Sequence, residues 1–302
     1  MSQKILITGG TGLIGKRLTE MLLLKGYEVA YLSRKKKDIP SVKVFEWNVE
    51  KGYIEEGALE NLDYLIHLAG EGVADGRWTE ERKKVIISSR TETIGLIGKK
   101  LKEKNILPKA LISASGSNYY PEGDQHHTEG SPAGNGFLSH VTIEWEKAAN
   151  SIKELGVRTV ILRTGVVLSN KGGAIPQMAL PAKFGFGAPL GTGKQYISWI
   201  HIDDICSMYL AAIENETWNG VYNAIAAPPV TNEELTKQIC IALDKPQWFP
   251  NVPAFALKLA FGEMAHVVLG SNYVVNKRIK EETDFKYKFA DLDVALKEVL
   301  SK

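Results

Sequence analysis

Gly9, Gly12 and Gly15 recur at a spacing of three behind a short apolar run, Ile5-Leu6-Ile7-Thr8, and Gly10 tightens the turn between them. Glycines so placed do three jobs: one adopts backbone angles closed to other residues, one lets the chain approach a pyrophosphate, and one lets the next helix pack on the strand. A helix beginning there aims its unpaired N–H groups, and roughly half a positive charge, at the phosphates. The chemistry that fits is dinucleotide binding, with Gly9, Thr11, Gly12, Leu13, Ile14 and Gly15 as the contacts. A second group stands where the next apolar run ends: Ser33-Arg34-Lys35-Lys36-Lys37, with no acid before Asp38. An acidic residue at that point binds a free ribose 2′-hydroxyl, whereas a cation accommodates a 2′-phosphate. Arg34 can fork onto phosphate and Ser33 can donate a hydroxyl, so NADP is favoured; the alternative is a solvated basic turn.

Other reactive side chains are sparser. Ser115 ends the apolar run that starts at Ala110, and Tyr119 and Tyr120 follow it closely. Together they are candidates for substrate contact and acid–base work, or else a strand-end hydroxyl and a packed aromatic pair. His140 and Glu144 share one helix face and read as an acid–base couple, or as a cap or surface pair. His126 and His127 are adjacent in a polar loop spanning Glu122–Gly136, which reads as a mobile rim and not as a metal site. Cys206 and Cys240 lie in helical stretches without ligand spacing and read as buried reduced thiols of a cytoplasmic protein.

The elements that must position these groups alternate. Strands are expected at Ile5–Thr8, Tyr27–Ser33, Val42–Trp47, Asp63–Ala69, Ala110–Ser115, Arg158–Thr164 and Gly220–Ala224. Between them, Leu18, Met21 and Leu22 form the buried face of a helix closed by Gly26, and further helices are expected over Thr79–Glu103 and Glu144–Leu155. That order predicts an α/β fold, a Rossmann-type doubly wound parallel sheet. From about Asn170 to 200 the chain is rich in glycine and proline with little period, and reads as a loop-rich segment shaping a pocket. Trp199–Ile205 leads into a helix, and residues 231–302 read as mainly helical, broken near Pro246, Pro250 and Pro253. The expected division is a nucleotide-binding domain over 1–226 and a smaller, mainly helical, substrate-side domain over 227–302.

Bulk properties narrow the partners. The 302 residues carry a net charge of +2, with 44% hydrophobic and 24% charged residues. That balance suggests neither nucleic acid nor an anionic membrane as a partner. No apolar run reaches the roughly 20 residues of a membrane span, and the first strand starts too early for a targeting peptide. A cytoplasmic monomer or homodimer acting on a small molecule is expected.

The chain resembles extended-type short-chain dehydrogenases/reductases, and more closely their atypical epimerase-like subgroup often labelled "cell division inhibitor-like". The resemblance rests on the glycine turn, Leu68-Ala69-Gly70-Glu71, the run Arg77-Trp78-Thr79-Glu80-Glu81-Arg82-Lys83, and Ser89-Arg90. It continues through Leu162-Arg163-Thr164-Gly165-Val166-Val167-Leu168, Trp199-Ile200-His201-Ile202-Asp203-Asp204 and Phe261-Gly262-Glu263-Met264-Ala265. It implies an NADP-binding Rossmann domain with a small C-terminal domain. By position, Leu68, Ala69, Gly70 and Glu71 would contact the ribose and nicotinamide side, and Asn48 the adenine. Arg77 and Arg90 would reach phosphate or substrate anions, or form helix-surface salt bridges; Arg163 joins Arg90 among the expected cofactor contacts. Asp203 and Asp204 would cap a helix or bind Arg163.

Typical members of the superfamily use a Tyr-x-x-x-Lys pair on the helix after the fifth strand. The lysine cation lowers the tyrosine pKa, and a strand-end serine polarises the substrate. Here Ser115 keeps the serine position, but the helix reads Phe137-Leu138-Ser139-His140-Val141-Thr142-Ile143-Glu144-Trp145-Glu146-Lys147, without tyrosine. The same spacing at Tyr31/Lys35 and Tyr273/Lys277 falls on the wrong elements. The expected function is therefore an NADP-dependent epimerase/dehydratase or reductase for a small polar or sugar-like substrate. The alternative is a non-catalytic NADP(H)-sensing or scaffold protein.

Overall fold

Lys4–Thr8 is buried along its whole length, as a strand must be when helices cover both faces of a parallel sheet. The computed structural model describes residues 2–226 and 228–301. It opens with β1 (Lys4–Thr8), α1 (Leu13–Leu24), β2 (Glu28–Ser33), β3 (Val42–Asn48), the short β4 (Tyr53–Ile54) and β5 (Tyr64–His67). Next come α2 (Glu80–Lys104), β6 (Ala110–Gly116), β7 (Gly123–His127), α3 (Phe137–Lys153), β8 (Arg158–Thr164) and β9 (Val166–Leu168). They are followed by α4 (Ala174–Lys183), β10 (Tyr196–Ile197), β11 (Trp199–His201), α5 (Ile202–Glu214) and β12 (Gly220–Ala224). The remainder is β13 (Val230–Thr231), α6 (Asn232–Ala242), α7 (Ala254–Phe261), α8 (His266–Leu269), β14 (Asn272–Val274), α9 (Lys277–Glu282) and α10 (Leu292–Leu300).

Eight strands make one sheet in the order β12-β8-β6-β5-β1-β2-β3-β4, with β3–β4 the antiparallel pairing. Successive residues of β1 serve opposite layers. Ile5 and Ile7 pack with Leu18 of α1 and Ile205 of α5, while Leu6 packs with Ile94 of α2 and Ile152 of α3. This is the Rossmann-type doubly wound sheet that the alternation predicts. No helix among the described residues is long and apolar enough to cross a membrane. Cys206 and Cys240 are buried free thiols.

Three expectations need correction. The glycine- and proline-rich segment is not wholly irregular: α4 forms within it and buries Ile175, Ala179 and Ala182 on one stripe. Pro176 sits in its first turn, where the missing N–H would have no intrahelical partner. The polar rim contains β7, because its backbone pairs with β14 from far along the chain, a partner no local pattern announces. Helix α3 starts at Phe137 and not at Glu144; its first turns bury Ser139 and Thr142, polar residues that hide an amphipathic face.

The C-terminal segment is well anchored. Ala295, Leu296 and Val299 of α10 belong to the same apolar core as β1 and α6. Asp204 accepts backbone bonds from Lys288 and Phe289 at 2.8 and 3.0 Å. The expected domain boundary at 226/227 falls on Ala227, outside the described residues.

Candidate functional site

The strand order reverses at β1, whose neighbours are β2 on one side and β5 on the other. In open α/β sheets such a switch point leaves a crevice beyond the strand ends. A groove of about 870 Å³ lies there, between the turn after β1, the end of β2 and the segment after β5. The turn requires its glycines. Gly9 has φ +71°, and a Cβ on it would lie 2.7 Å from the Leu68 carbonyl carbon; one on Gly15 would lie 2.6 Å from Gly10 Cα. A Cβ on Gly10 would enter the Tyr31 ring. Helix α1 then begins without any side chain capping its N-terminus, and Thr11 and Gly12 line the groove at that end. Free N–H groups and the helix dipole make this an anion site by construction.

Ser33, Arg34, Lys35 and Lys37 line the groove at the end of β2. Arg34 is 83% exposed and donates to Glu71 Oε1 at 3.2 Å, while the other Glu71 oxygen lies 3.6 Å from Arg82. Arg82 donates to the Gly72 carbonyl at 2.8 Å. Leu68, Ala69, Gly70 and Glu71 form the opposite wall. Their backbone is held by Thr8 Oγ1, 3.2 Å from the Ala69 N–H, and by Ser89 Oγ, 3.0 Å from that of Glu71. Leu13 belongs to an adjoining cleft of about 620 Å³, reached past Thr11 and Gly12, and Ile14 packs against the core. Asn48 does not line the groove: strand alternation presents Trp47 and Val49 instead, and Asn48 Oδ1 accepts the Lys51 N–H at 2.9 Å.

Beneath the segment after β5 lies a buried layer. Arg90 is 7% exposed, sits 4.9 Å from the centre of the Trp145 ring, and donates to the Ile86 carbonyl at 2.7 Å. Burial pushes Arg90 down to about 10, opposed by Glu71 and aided by Arg82. Its guanidinium supports Gly70 from below and does not line the groove, unlike the expected anion contact. His67 accepts from Trp145 Nε1 at 3.1 Å through Nδ1, so Nε2 carries the proton and donates to Thr93 at 3.0 Å. Burial, then the nearby Arg90 charge, pushes His67 down to about 3. This neutral histidine is a structural post.

The strand-end serine enters a closed polar network. Ser115 donates to Glu146 Oε1 at 2.7 Å. Arg163 grips the same carboxylate with Nε at 2.7 Å and Nη2 at 2.8 Å. Its Nη1 donates to the Tyr120 hydroxyl at 2.8 Å, which donates onward to Asn223 Oδ1 at 2.7 Å. Burial, partly offset by Arg163, pushes Tyr120 up to about 12. Two sequence assignments therefore change. Tyr120, 1% exposed, has both its proton and a lone pair committed and is no acid–base group. Arg163, 3% exposed, holds the protein and not a cofactor. Glu146 was not singled out by the sequence, although it extends the stripe of Ser139 and Thr142 on the buried face of α3.

Tyr119 differs from its neighbour. It lies edge-on to Tyr120 at 5.3 Å, with the Arg163 guanidinium 3.4 Å from its ring centre. Its hydroxyl makes no hydrogen bond among the described residues. The other candidates disperse. His140 is exposed, and Glu144 faces Lys147 at 3.9 Å. His126 stacks on Tyr273, His127 on Tyr120, and no group of potential metal ligands occurs among the described residues. Arg77 donates to the carbonyls of Leu259 and Ala260 at the end of α7, both at 2.9 Å, completing a helix C-terminus. Asp203 pairs with Arg17 at 2.7 Å; neither it nor Asp204 reaches Arg163.

Comparison with known proteins agrees with this architecture. The NAD dependent epimerase/dehydratase family matches residues 5–224, and a domain of unknown function, DUF1731, matches residues 252–299. The epimerase family protein YfhF of Bacillus subtilis is 36% identical over 301 residues, 98% of each chain. The mouse epimerase family protein SDR39U1 is 36% identical over 303 residues, 99% of this chain and 100% of its own. A crystal structure of human SDR39U1 (isoform 2) with NADPH superposes with a TM-score of 0.88 at 32% identity, covering 99% of this chain and 100% of that one. These matches fit the atypical, epimerase-like subgroup that the motifs suggest. This chain belongs to the NAD-dependent epimerase/dehydratase family and carries the DUF1731 segment behind its nucleotide fold.

Proposed function

We propose that this protein binds NADP(H) in the groove at the β1 switch point and uses it on a small polar or sugar-like substrate, as a reductase or an epimerase/dehydratase. The observation that carries the reading is the pairing of an uncapped helix start on an obligate glycine turn with a cationic end to β2. The NADPH-bound human relative supports it. Bound nicotinamide supplies a hydride donor or acceptor. The chain does the rest. Backbone N–H groups after Gly12 bind the pyrophosphate, and Ser33 and Arg34 hold the 2′-phosphate once Arg34 releases Glu71. Leu68, Ala69, Gly70 and Glu71 orient the ribose and nicotinamide side. Ser115 gives its one hydroxyl proton to Glu146 and so offers a substrate hydroxyl only an acceptor oxygen, and Tyr119, with its free hydroxyl, moves the proton.

A second reading, an NADP(H) sensor, is favoured by the commitment of Ser115 to Glu146 and the lack of tyrosine on α3. Purified protein given NADPH and carbonyl compounds or sugar nucleotides separates the two, by nicotinamide absorbance and by product analysis, since an epimerase shows no net absorbance change. Turnover supports the enzyme. Tyr119→Phe should then keep NADPH binding and lower turnover about a hundredfold; undiminished turnover removes Tyr119 from the mechanism. NADPH binding with no product from any candidate supports the sensor.

A further inference from the structure

Arg90 of α2 is an enclosed cation without a counter-ion of its own. It is 7% exposed, and its hydrogen bonds run only through Nη1, to the Ile86 carbonyl at 2.7 Å and Ser89 Oγ at 3.5 Å. Its Nε is buried and finds no acceptor among the described residues. The Trp145 ring, 4.9 Å away, favours a cation but does not cancel its charge. Enclosing a charge in this state is costly. Even held down to about 10, the guanidinium stays protonated at pH 7.

The groups around it leave the charge standing. Glu71, the acid that acts on Arg90, is shared between Arg34 at 3.2 Å and Arg82 at 3.6 Å. Arg82 is a second cation whose own Nε is buried and unbonded. His67 is neutral. Glu50 and Glu92 line the groove but are exposed, so water screens them. Once a 2′-phosphate draws Arg34 away, two arginines face one carboxylate and a positive charge remains uncompensated. That charge lies directly under the groove wall. Gly70 lines the groove, and a Cβ on it would come within 2.9 Å of Arg90 Cζ. Only the thickness of the backbone separates the guanidinium from a bound ligand.

We infer that Arg90 sets which oxidation state of the cofactor this groove prefers, favouring NADPH over NADP+. The inference rests on the proposed reading, in which Leu68–Glu71 face the nicotinamide side. The nicotinamide ring is neutral when reduced. Loss of a hydride, two electrons with one hydrogen, leaves the ring with a positive charge, and the rest of the cofactor is unchanged. Two like charges about 10 Å apart at an effective dielectric of about 20 repel enough to shift an equilibrium roughly tenfold. The effect acts through space, so Arg90 need touch no reacting atom. It favours loading with NADPH and release of NADP+, as the cycle of a reductase requires. It works against retaining the oxidised cofactor with which an epimerase or dehydratase begins. The matching substrate is a carbonyl compound, whose carbon takes the hydride and whose oxygen takes a proton to give an alcohol.

Isothermal titration of the full-length protein with NADPH and with NADP+, at one ionic strength, tests this. The wild type should bind NADPH roughly tenfold more tightly. Arg90→Met and Arg90→Gln strand no paired carboxylate, and circular-dichroism melting checks their folding. Each should cut the preference by about fivefold or more, chiefly by binding NADP+ more tightly than the wild type does. An arginine with a merely structural role would instead weaken both cofactors alike. Arg90→Lys keeps the charge and should keep the preference within about twofold. Equal wild-type affinities, a preference for NADP+, or an undiminished preference in a folded neutral variant overturns the inference. Loss of the preference in Arg90→Lys as well overturns it, because charge would not be the cause. If both cofactors bind equally, the NADP(H) reading stands and only this inference falls; if neither binds, both fall.

Discussion

Replacing Arg34 with alanine should weaken NADPH and leave NADH almost untouched. A charge-assisted hydrogen bond to phosphate contributes about 1.5–3 kcal/mol, and at 83% exposure Arg34 belongs at the low end because water competes for the same groups. The wild-type arginine must also give up Glu71, 3.2 Å away; an exposed pair of this kind is worth about 0–1 kcal/mol. The difference, about 0.5–1.5 kcal/mol, corresponds to roughly a two- to thirteenfold loss of NADPH affinity. NADH, with no 2′-phosphate, should change by less than about twofold. Glu71→Gln should act in the opposite direction: removing the competing carboxylate tightens NADPH by up to about fivefold. In the Arg34→Ala background that gain should vanish, because the two side chains act as one unit. Isothermal titration at fixed, low ionic strength is the assay, since salt screens both terms. Equal losses for the two cofactors would refute the assignment of Arg34 to the 2′-phosphate. Weaker NADPH binding by Glu71→Gln would refute the competition.

The remaining expectations concern the scaffold of the site. Gly15→Ala places a Cβ 2.6 Å from Gly10 Cα, so the turn must open; a loss of stability of about 1–3 kcal/mol in urea unfolding and at least tenfold weaker NADPH binding should follow. Gly12→Ala meets nothing closer than the Gly9 carbonyl oxygen at 3.2 Å and should be milder; the reverse order would show the packing account to be wrong. Arg163→Met strands the buried Glu146 carboxylate and should cost about 3–5 kcal/mol, measured by denaturant unfolding; a near-neutral result would mean that water reaches Glu146. His67 is pushed down to about 3 in the folded chain, so below its ordinary pKa the unfolded chain binds the extra proton. Stability should therefore fall as pH drops from about 6.5 toward 3, by up to about 1.4 kcal/mol per unit from this group. His67→Gln should flatten that slope, and an unchanged slope would place the proton uptake elsewhere.

Much of the scaffold is readable locally. Strands buried on both faces announce themselves as unbroken apolar runs, as in β1 and β5. The glycine turn does so because its constraints lie within a few residues: the φ of Gly9, and the contact of Gly15 with Gly10. The basic end of β2 is equally local, and with the turn it points to NADP. What stays hidden depends on partners far away in the chain. Tyr119 and Tyr120 look alike in sequence, yet strand pairing of β8 with β6 and β12 brings Arg163 and Asn223 to Tyr120 and leaves the Tyr119 hydroxyl free. β7 is polar and short, and forms because β14 comes alongside.

Periodicity, backbone angle and charge at a strand end are properties of neighbouring residues, so the order of residues alone settles the doubly wound sheet, the glycine turn after β1 and the basic end of β2. Long-range packing settles the remainder: which carboxylate holds Ser115, which arginines are enclosed, and which apolar faces no other element covers. Those outcomes follow from strand register and helix docking. A side chain is reactive, silent or sticky according to what the fold leaves beside it, and residues next to it in sequence are seldom the ones that decide.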